Sequence, residues 1–145
     1  MTRAEANARR RAREAALQML YQWEVGRASA HEVFVTYWPA HNGDKELTEP
    51  LREFANSLVR GTIDRVAEID ALLGTHAQNW RVERMAVIDR LVLRLGVYEL
   101  LAEPGTPGRV VINEAIELAR SYSGDEAVGF VNGVLDSVRK ELKRD

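Results

Sequence analysis

The chain has 145 residues, 20 of them basic and 22 acidic, for a formal net charge of −2. That length suits one domain with a sizeable core. The acidic balance excludes a protein that coats nucleic acid by bulk attraction, so any such contact must come from charge segregated locally. No cysteine is present, which excludes a disulfide framework, a cysteine nucleophile and a thiolate metal site, and fits a reducing cytosol.

The basic N-terminal segment lacks the apolar run of about 7–15 residues that marks a secretory signal. The most apolar region, residues 88–102, is interrupted by Asp89, Arg90, Arg94 and Glu99. Nothing therefore approaches the roughly 18 apolar residues of a membrane span. A soluble, cytoplasmic protein is expected.

Residues 3–13 hold five arginines against Glu5 alone. Arg9, Arg10, Arg11 and Arg13 lead into a helix predicted over residues 8–25. Its Ala12, Ala16, Met19, Leu20 and Trp23 fall within an arc of roughly 100°. Arg9 projects inside that arc and Arg13 just past its edge. Unpaired buried charge is costly, so the core is expected to stop near Ala12 and the arginine turn to run past the body of the fold. Such a turn is either a solvated helix end or a polyanion contact. Gly26 suits the C′ position.

A second helix spans residues 30–38, stopped by Pro39. The polar loop at 40–46 carries the turn Asn42-Gly43-Asp44, and its length is expected to vary without harm. One long helix is then predicted over residues 49–73, capped by Thr48 with Pro50 in the first turn. Leu51, Phe54, Leu58, Val66, Ile69 and Leu73 mark its buried stripe. Gly61 within it implies close approach by another helix, and Gly74 ends it. Met85, Ile88, Leu91, Val92, Leu95, Tyr98 and Ala102 give the most apolar helix, expected to be central. Residues 104–108 form a loop. Val111, Ile112, Ala115, Ile116, Ala119 and Tyr122 give a short helix, and Ser123-Gly124-Asp125 reads as a C-cap followed by an N-cap. The last helix, residue 125 to about 142, buries Val131, Val134, Leu135 and Val138. No segment alternates with period 2. The fold class is all-α, six or seven helices in two small bundles sharing one core, residues 1 to about 75 and about 80 to 145.

The sequence holds no phosphate loop, nucleophile elbow or dinucleotide fingerprint. His31, His41 and His76 are scattered and read as surface or loop histidines. The pairs Glu114 with Glu117 and Asp64 with Glu68 lie off the apolar stripes and read as solvated faces. No E-x-x-H motif supports a di-metal bundle. No enzyme, metal or cofactor is expected. Asp89 lacks a basic residue three or four positions on, which leaves an ion pair to another helix or a surface for a partner protein. Asn113 and Asn132 flank apolar runs, where capping or backbone hydrogen bonding is the default role.

ARRRAREAALQMLYQWE, Trp80 and Arg84 as W-x-x-x-R, DRLVLRLGVYELL from Asp89, VVINEAIELARSY from Val110 and FVNGVLD from Phe130 occur in that order. Together they closely resemble the NusB family over nearly the whole chain. INEAIELA and FVNGVLD at this separation are the specific part. The resemblance implies two perpendicular three-helix bundles in a single RNA-binding domain. It also implies transcription antitermination: binding of boxA RNA jointly with NusE, a small-subunit ribosomal protein, to nucleate a complex on RNA polymerase, notably at ribosomal RNA operons. Carried over by position, Arg9, Arg10, Arg11, Arg13 and Tyr21 would contact RNA. So would the start of the last helix with Phe130, for which a core role competes. Glu83 and Asp89 would face NusE. Some relatives carry a serine and a lysine where this chain has Ala127 and Gly129, which removes one phosphate contact. Monomer and homodimer both remain open. The alternatives are a helical protein–protein scaffold, or an accessory RNA-binding domain of a ribosomal-RNA-modifying system. The latter needs a separate catalytic partner, since the sequence stops at Asp145.

Overall fold

A computed structural model describes residues 1–78 and 81–145; Trp80 of the W-x-x-x-R motif lies outside the described residues. Seven α-helices and two short 3-10 turns make up the described regular structure, with no strand among those residues. The chain divides into two compact units, Met1–Ile63 and Asp64–Asp145.

The first unit holds α1 (Arg3–Gly26), α2 (Ala30–Ala40) and α3 (Glu49–Asp64). α1 starts five residues before its predicted beginning because Thr2 caps it, its side chain accepting from the Glu5 amide at 3.1 Å. Gly26 stays helical, and Arg27 takes the left-handed position at φ 54°. Buried residues on α1 are Ala12, Arg13, Ala15, Ala16, Leu17, Met19 and Leu20, an arc of about 200° at the helical period. That is twice the predicted stripe, and Arg13 falls inside it. In α2, Ser29 caps the N-terminus by accepting from the Glu32 amide at 3.1 Å. The helix continues through Pro39 to Ala40. Tyr37 donates to Gln18 Oε1 of α1 at 2.6 Å, and Trp38 Nε1 donates to Asn56 Oδ1 of α3 at 2.9 Å. These two rings tie α2 to both neighbours.

The predicted long helix is two helices. α3 ends at Asp64 and α4 (Val66–His76) begins after Arg65, whose φ and ψ of −109° and 19° break the ladder. Thr62, Val66, Ile69 and Leu73 keep the helical period straight across this point, so the apolar pattern carries no sign of the break. Gly74 lies inside α4 rather than ending it. α4 packs on α5 and α7, so it belongs with the second unit, and the division of the chain falls before residue 75.

In the second unit, a 3-10 turn (Val82–Arg84) precedes α5 (Val87–Ala102), followed by α6 (Gly108–Tyr122), a 3-10 turn (Asp125–Ala127) and α7 (Val128–Glu141). The N-cap of α6 is Pro107, and Gly124 at φ 135° separates α6 from the second 3-10 turn. α5 is buried on almost every side from Arg90 to Leu100, Tyr98 excepted. Gly96 sets its spacing from α7: a Cβ there would meet Leu135 Cδ1 at 2.9 Å. Two charges in this helix are accommodated differently. Arg94 donates to Asp70 of α4 through Nε at 2.9 Å and Nη2 at 2.8 Å, a forked pairing that suits guanidinium and carboxylate. Arg90 donates to the Met85 carbonyl at 3.3 Å. At its C-terminus α5 is closed by Arg144, which donates to the carbonyls of Glu99, Leu100, Glu103 and Thr106. These are orphan acceptors of a helix end and its following loop.

Candidate nucleic-acid interface

The four clustered arginines of α1 are not equivalent. Arg13 is 3% exposed and its guanidinium carbon lies 5.5 Å from the centre of the Phe54 ring on α3. Arg9 lies over the same ring at 4.3 Å. The expected arginine turn running clear of the fold is thus corrected at these two positions. The arc buried on α1 is wide enough to include both, and the single Phe54 ring of α3 lies near both cations. Arg9 has no carboxylate partner among the described residues.

Arg11 is a staple. It donates to Glu14 at 2.9 Å and to Asp44, with Glu46 at 3.8 Å. Its pKa is raised, chiefly by the hydrogen bond to Glu14, against some desolvation, with Asp44 adding to the rise. Burial pushes the Asp44 carboxyl up, but the hydrogen bonds from Arg11 and from the Glu46 amide outweigh it and hold it below the usual carboxylate range. The loop expected to vary freely is therefore fixed to α1 through Asp44.

Arg10 is exposed. Tyr21 is 43% exposed, and its hydroxyl has no partner among the described residues. At about 100° per residue the two lie within about 20° of each other on α1, three turns apart. Arg3, exposed and without a partner among the described residues, falls on the same line. Residues 3, 10 and 21 thus form one exposed basic and aromatic ridge about 27 Å long at 1.5 Å per residue. Arg3 lies outside the helix predicted over residues 8–25; with Thr2 as the cap, the same helical period includes it.

Phe130, on α7 in the second unit, is half-buried and lines a cavity of about 340 Å³ with His76, Gln78, Gly129, Gly133 and Ser137. His76 is not a surface histidine. Its Nδ1 lies 2.6 Å from Ser137 Oγ and its Nε2 2.9 Å from Glu141 Oε1, bridging α4 to α7. His41 stacks on Tyr37 at 3.9 Å, and His31 is exposed. No side chain caps α7. Ala127 is buried, whereas Gly129 is exposed and a Cβ there would meet nothing within 4 Å. Glu83 is exposed in the first 3-10 turn. Asp89 occupies the first turn of α5, where a carboxylate is favoured, and its buried Oδ1 has no partner. The internal ion pair open to Asp89 on sequence grounds is made by Arg94 instead. Among the described residues no group of His, Asp and Glu converges as metal ligands, and no helix is long and apolar enough to cross a membrane.

The profile of the NusB family matches residues 10–140. The chain belongs to the NusB family. It is 48% identical to the transcription antitermination protein NusB of Koribacter versatilis over 92% of this chain and 90% of that one. Among solved structures it is similar to T. maritima NusB, with a TM-score of 0.80 and 36% identity over 92% and 91% of the two chains. It is also similar to a structure of the antitermination factors NusB and NusE in complex with double-stranded RNA, with a TM-score of 0.81 and 28% identity over 97% and 99%. The shared fold is all-α, and the family match spans both units.

Proposed function

We propose that this NusB-family chain is a transcription antitermination factor. It binds boxA RNA together with NusE and nucleates an antitermination complex on RNA polymerase, notably at ribosomal RNA operons. The observation that carries this is its near-full-length likeness to a NusB solved with NusE and RNA. The role is binding, in the cytoplasm, with no reaction step and no cofactor, and both units act as one RNA-binding domain.

On α1 the exposed ridge of Arg3, Arg10 and Tyr21 is the main RNA contact, with Arg9 presented from the Phe54 ring. The arginines position the phosphates, which carries little sequence information. Base preference comes from rings such as Tyr21, able to stack on an unpaired base, and from the partner. Arg11 and Arg13 support this face from within, Arg11 by fixing the 41–47 loop. Phe130 and the start of α7, which runs on from the second 3-10 turn, give a second contact. Glu83 and Asp89 face NusE, whose donor would satisfy Asp89 Oδ1. One basic ridge on an acidic chain gives modest affinity alone and a gain when the partner's contacts are linked to it. Anisotropy with boxA RNA and a scrambled strand, each with and without NusE, tests the proposal. Preference for boxA that strengthens with NusE is expected, and equal binding of both strands with NusE present overturns it.

A further inference from the structure

On the second unit, α4 and α7 border the cavity of about 340 Å³ beside Phe130, with His76 and Gln78 on one wall and Gly129, Gly133 and Ser137 on the other. Its volume is at the low end of the roughly 300–1,000 Å³ of small-molecule pockets, which suits one flat ring rather than a helix or a strand. Gly129, Gly133 and Ser137 stand one turn apart along α7, within an arc of about 80°. A Cβ at either glycine would meet nothing within 4 Å. That wall is therefore bare helix backbone beside the Phe130 side chain.

The polar groups in the cavity have a defined direction. His76 Nε2 lies 2.9 Å from Glu141 Oε1; a carboxylate only accepts, so Nε2 carries the hydrogen. In the neutral ring Nδ1 is then the acceptor and takes the hydroxyl hydrogen of Ser137 at 2.6 Å. Ser137 Oγ is left with lone pairs to offer and no hydrogen to give. The exposed Gln78 carboxamide, which has no hydrogen bond among the described residues, offers both a donor and an acceptor.

These groups select the occupant. An apolar side chain would leave Ser137 Oγ and Gln78 facing it unpaired. No lysine or arginine lines the cavity to hold an acidic side chain, and no carboxylate lines it to repel a phosphate chain passing over it. A nucleobase sets N–H donors beside acceptors on one edge and presents faces that stack on aromatic rings.

We infer that this cavity takes one unpaired nucleobase of the bound RNA. Its ring lies against Phe130 and the glycine wall, an N–H of its edge donates to Ser137 Oγ, and Gln78 meets the rest of that edge. The inference rests on the RNA-binding reading above and adds to it a place where base identity is read.

The test measures anisotropy, with NusE present, on boxA RNA, on a scrambled strand, and on copies of each carrying one abasic nucleotide at successive positions. For the wild type, one position should be sensitive, with loss of its base weakening binding about 5- to 10-fold. Gly133→Leu fills the cavity with a better helix former, so it should fold. It should bind the intact strand weaker by the same factor and be indifferent to the base at that position alone. Ser137→Ala should reduce the sensitivity there without abolishing it. A wild type with no sensitive position overturns the inference, as does a folded G133L variant that keeps the wild-type abasic profile. Equal binding of boxA and scrambled strands by the wild type defeats the antitermination reading, whereas the comparison of G133L with wild type on either strand still decides the cavity. No RNA binding by the wild type overturns both.

Discussion

The guanidinium of Arg9 lies 4.3 Å above the ring of Phe54, so a residue of α3 fixes the position of a cation on α1. Arg13 approaches the same ring at 5.5 Å. A cation–π contact of this kind contributes about 0.5–1 kcal/mol at an exposed site. Phe54→Leu should keep the fold, since the ring is only half-buried, yet weaken RNA binding by roughly 2- to 5-fold through loss of that positioning. Titration of RNA into the variant, beside its melting temperature, checks this; an affinity equal to wild type removes Phe54 from the RNA site.

The staple between Arg11 and Asp44 has a pH signature. Asp44 has its folded pKa depressed, so it stabilises the docked loop above the unfolded carboxylate pKa of about 3.9, and this is lost as pH falls through the lower folded value. The protection of loop amides such as Glu46, which donates to Asp44 Oδ1 at 3.1 Å, relative to the intrinsic exchange rate at each pH, should fall in that acid range. Asp44→Asn should give fast exchange already at neutral pH. Exchange that is insensitive to both changes rules out the staple.

Arg94 and Asp70 form the forked pair between α5 and α4. Removing one partner of a buried ion pair costs up to about 3–5 kcal/mol. Because the Asp70 side chain is 31% exposed, Asp70→Ala should cost less, about 2 kcal/mol after allowing for solvent screening. Urea unfolding measures it, and a cost below about 0.5 kcal/mol, the range of ordinary surface changes, contradicts the pairing as a stabilising contact.

Gly129 is exposed at the start of α7, and a side chain there would enter open space. Gly129→Lys should therefore fold normally and gain one phosphate contact. The slope of log affinity against log salt should then steepen by about 0.7. A variant with unchanged slope places the start of α7 outside the RNA contact.

The helices were legible in the sequence wherever the apolar period and a breaker agreed, as at Pro104 to Pro107 and across Val131, Val134, Leu135 and Val138. The break at Arg65 was not, because Thr62, Val66 and Ile69 keep the period while Arg65 leaves the helical φ and ψ. Nor were the fates of the arginines: periodicity gives a side chain's direction, but the width of the buried arc depends on what packs there. Arg13 is covered because that arc reaches about 200°, and Arg11 is diverted because Asp44, distant in sequence, reaches it. The family was legible through INEAIELA and FVNGVLD, whereas the exposed line of Arg3, Arg10 and Tyr21 needed the helix start that Thr2 sets.

The central claim is that this line on α1 is where RNA phosphates are held. Its most direct test is the salt dependence of boxA RNA binding by the wild-type chain and by an Arg3→Gln, Arg10→Gln double variant, with NusE present in both. Loss of two phosphate contacts at about 0.7 each predicts a log–log slope shallower by about 1.4, with helicity unchanged. A double variant that folds and keeps the wild-type slope would contradict the account.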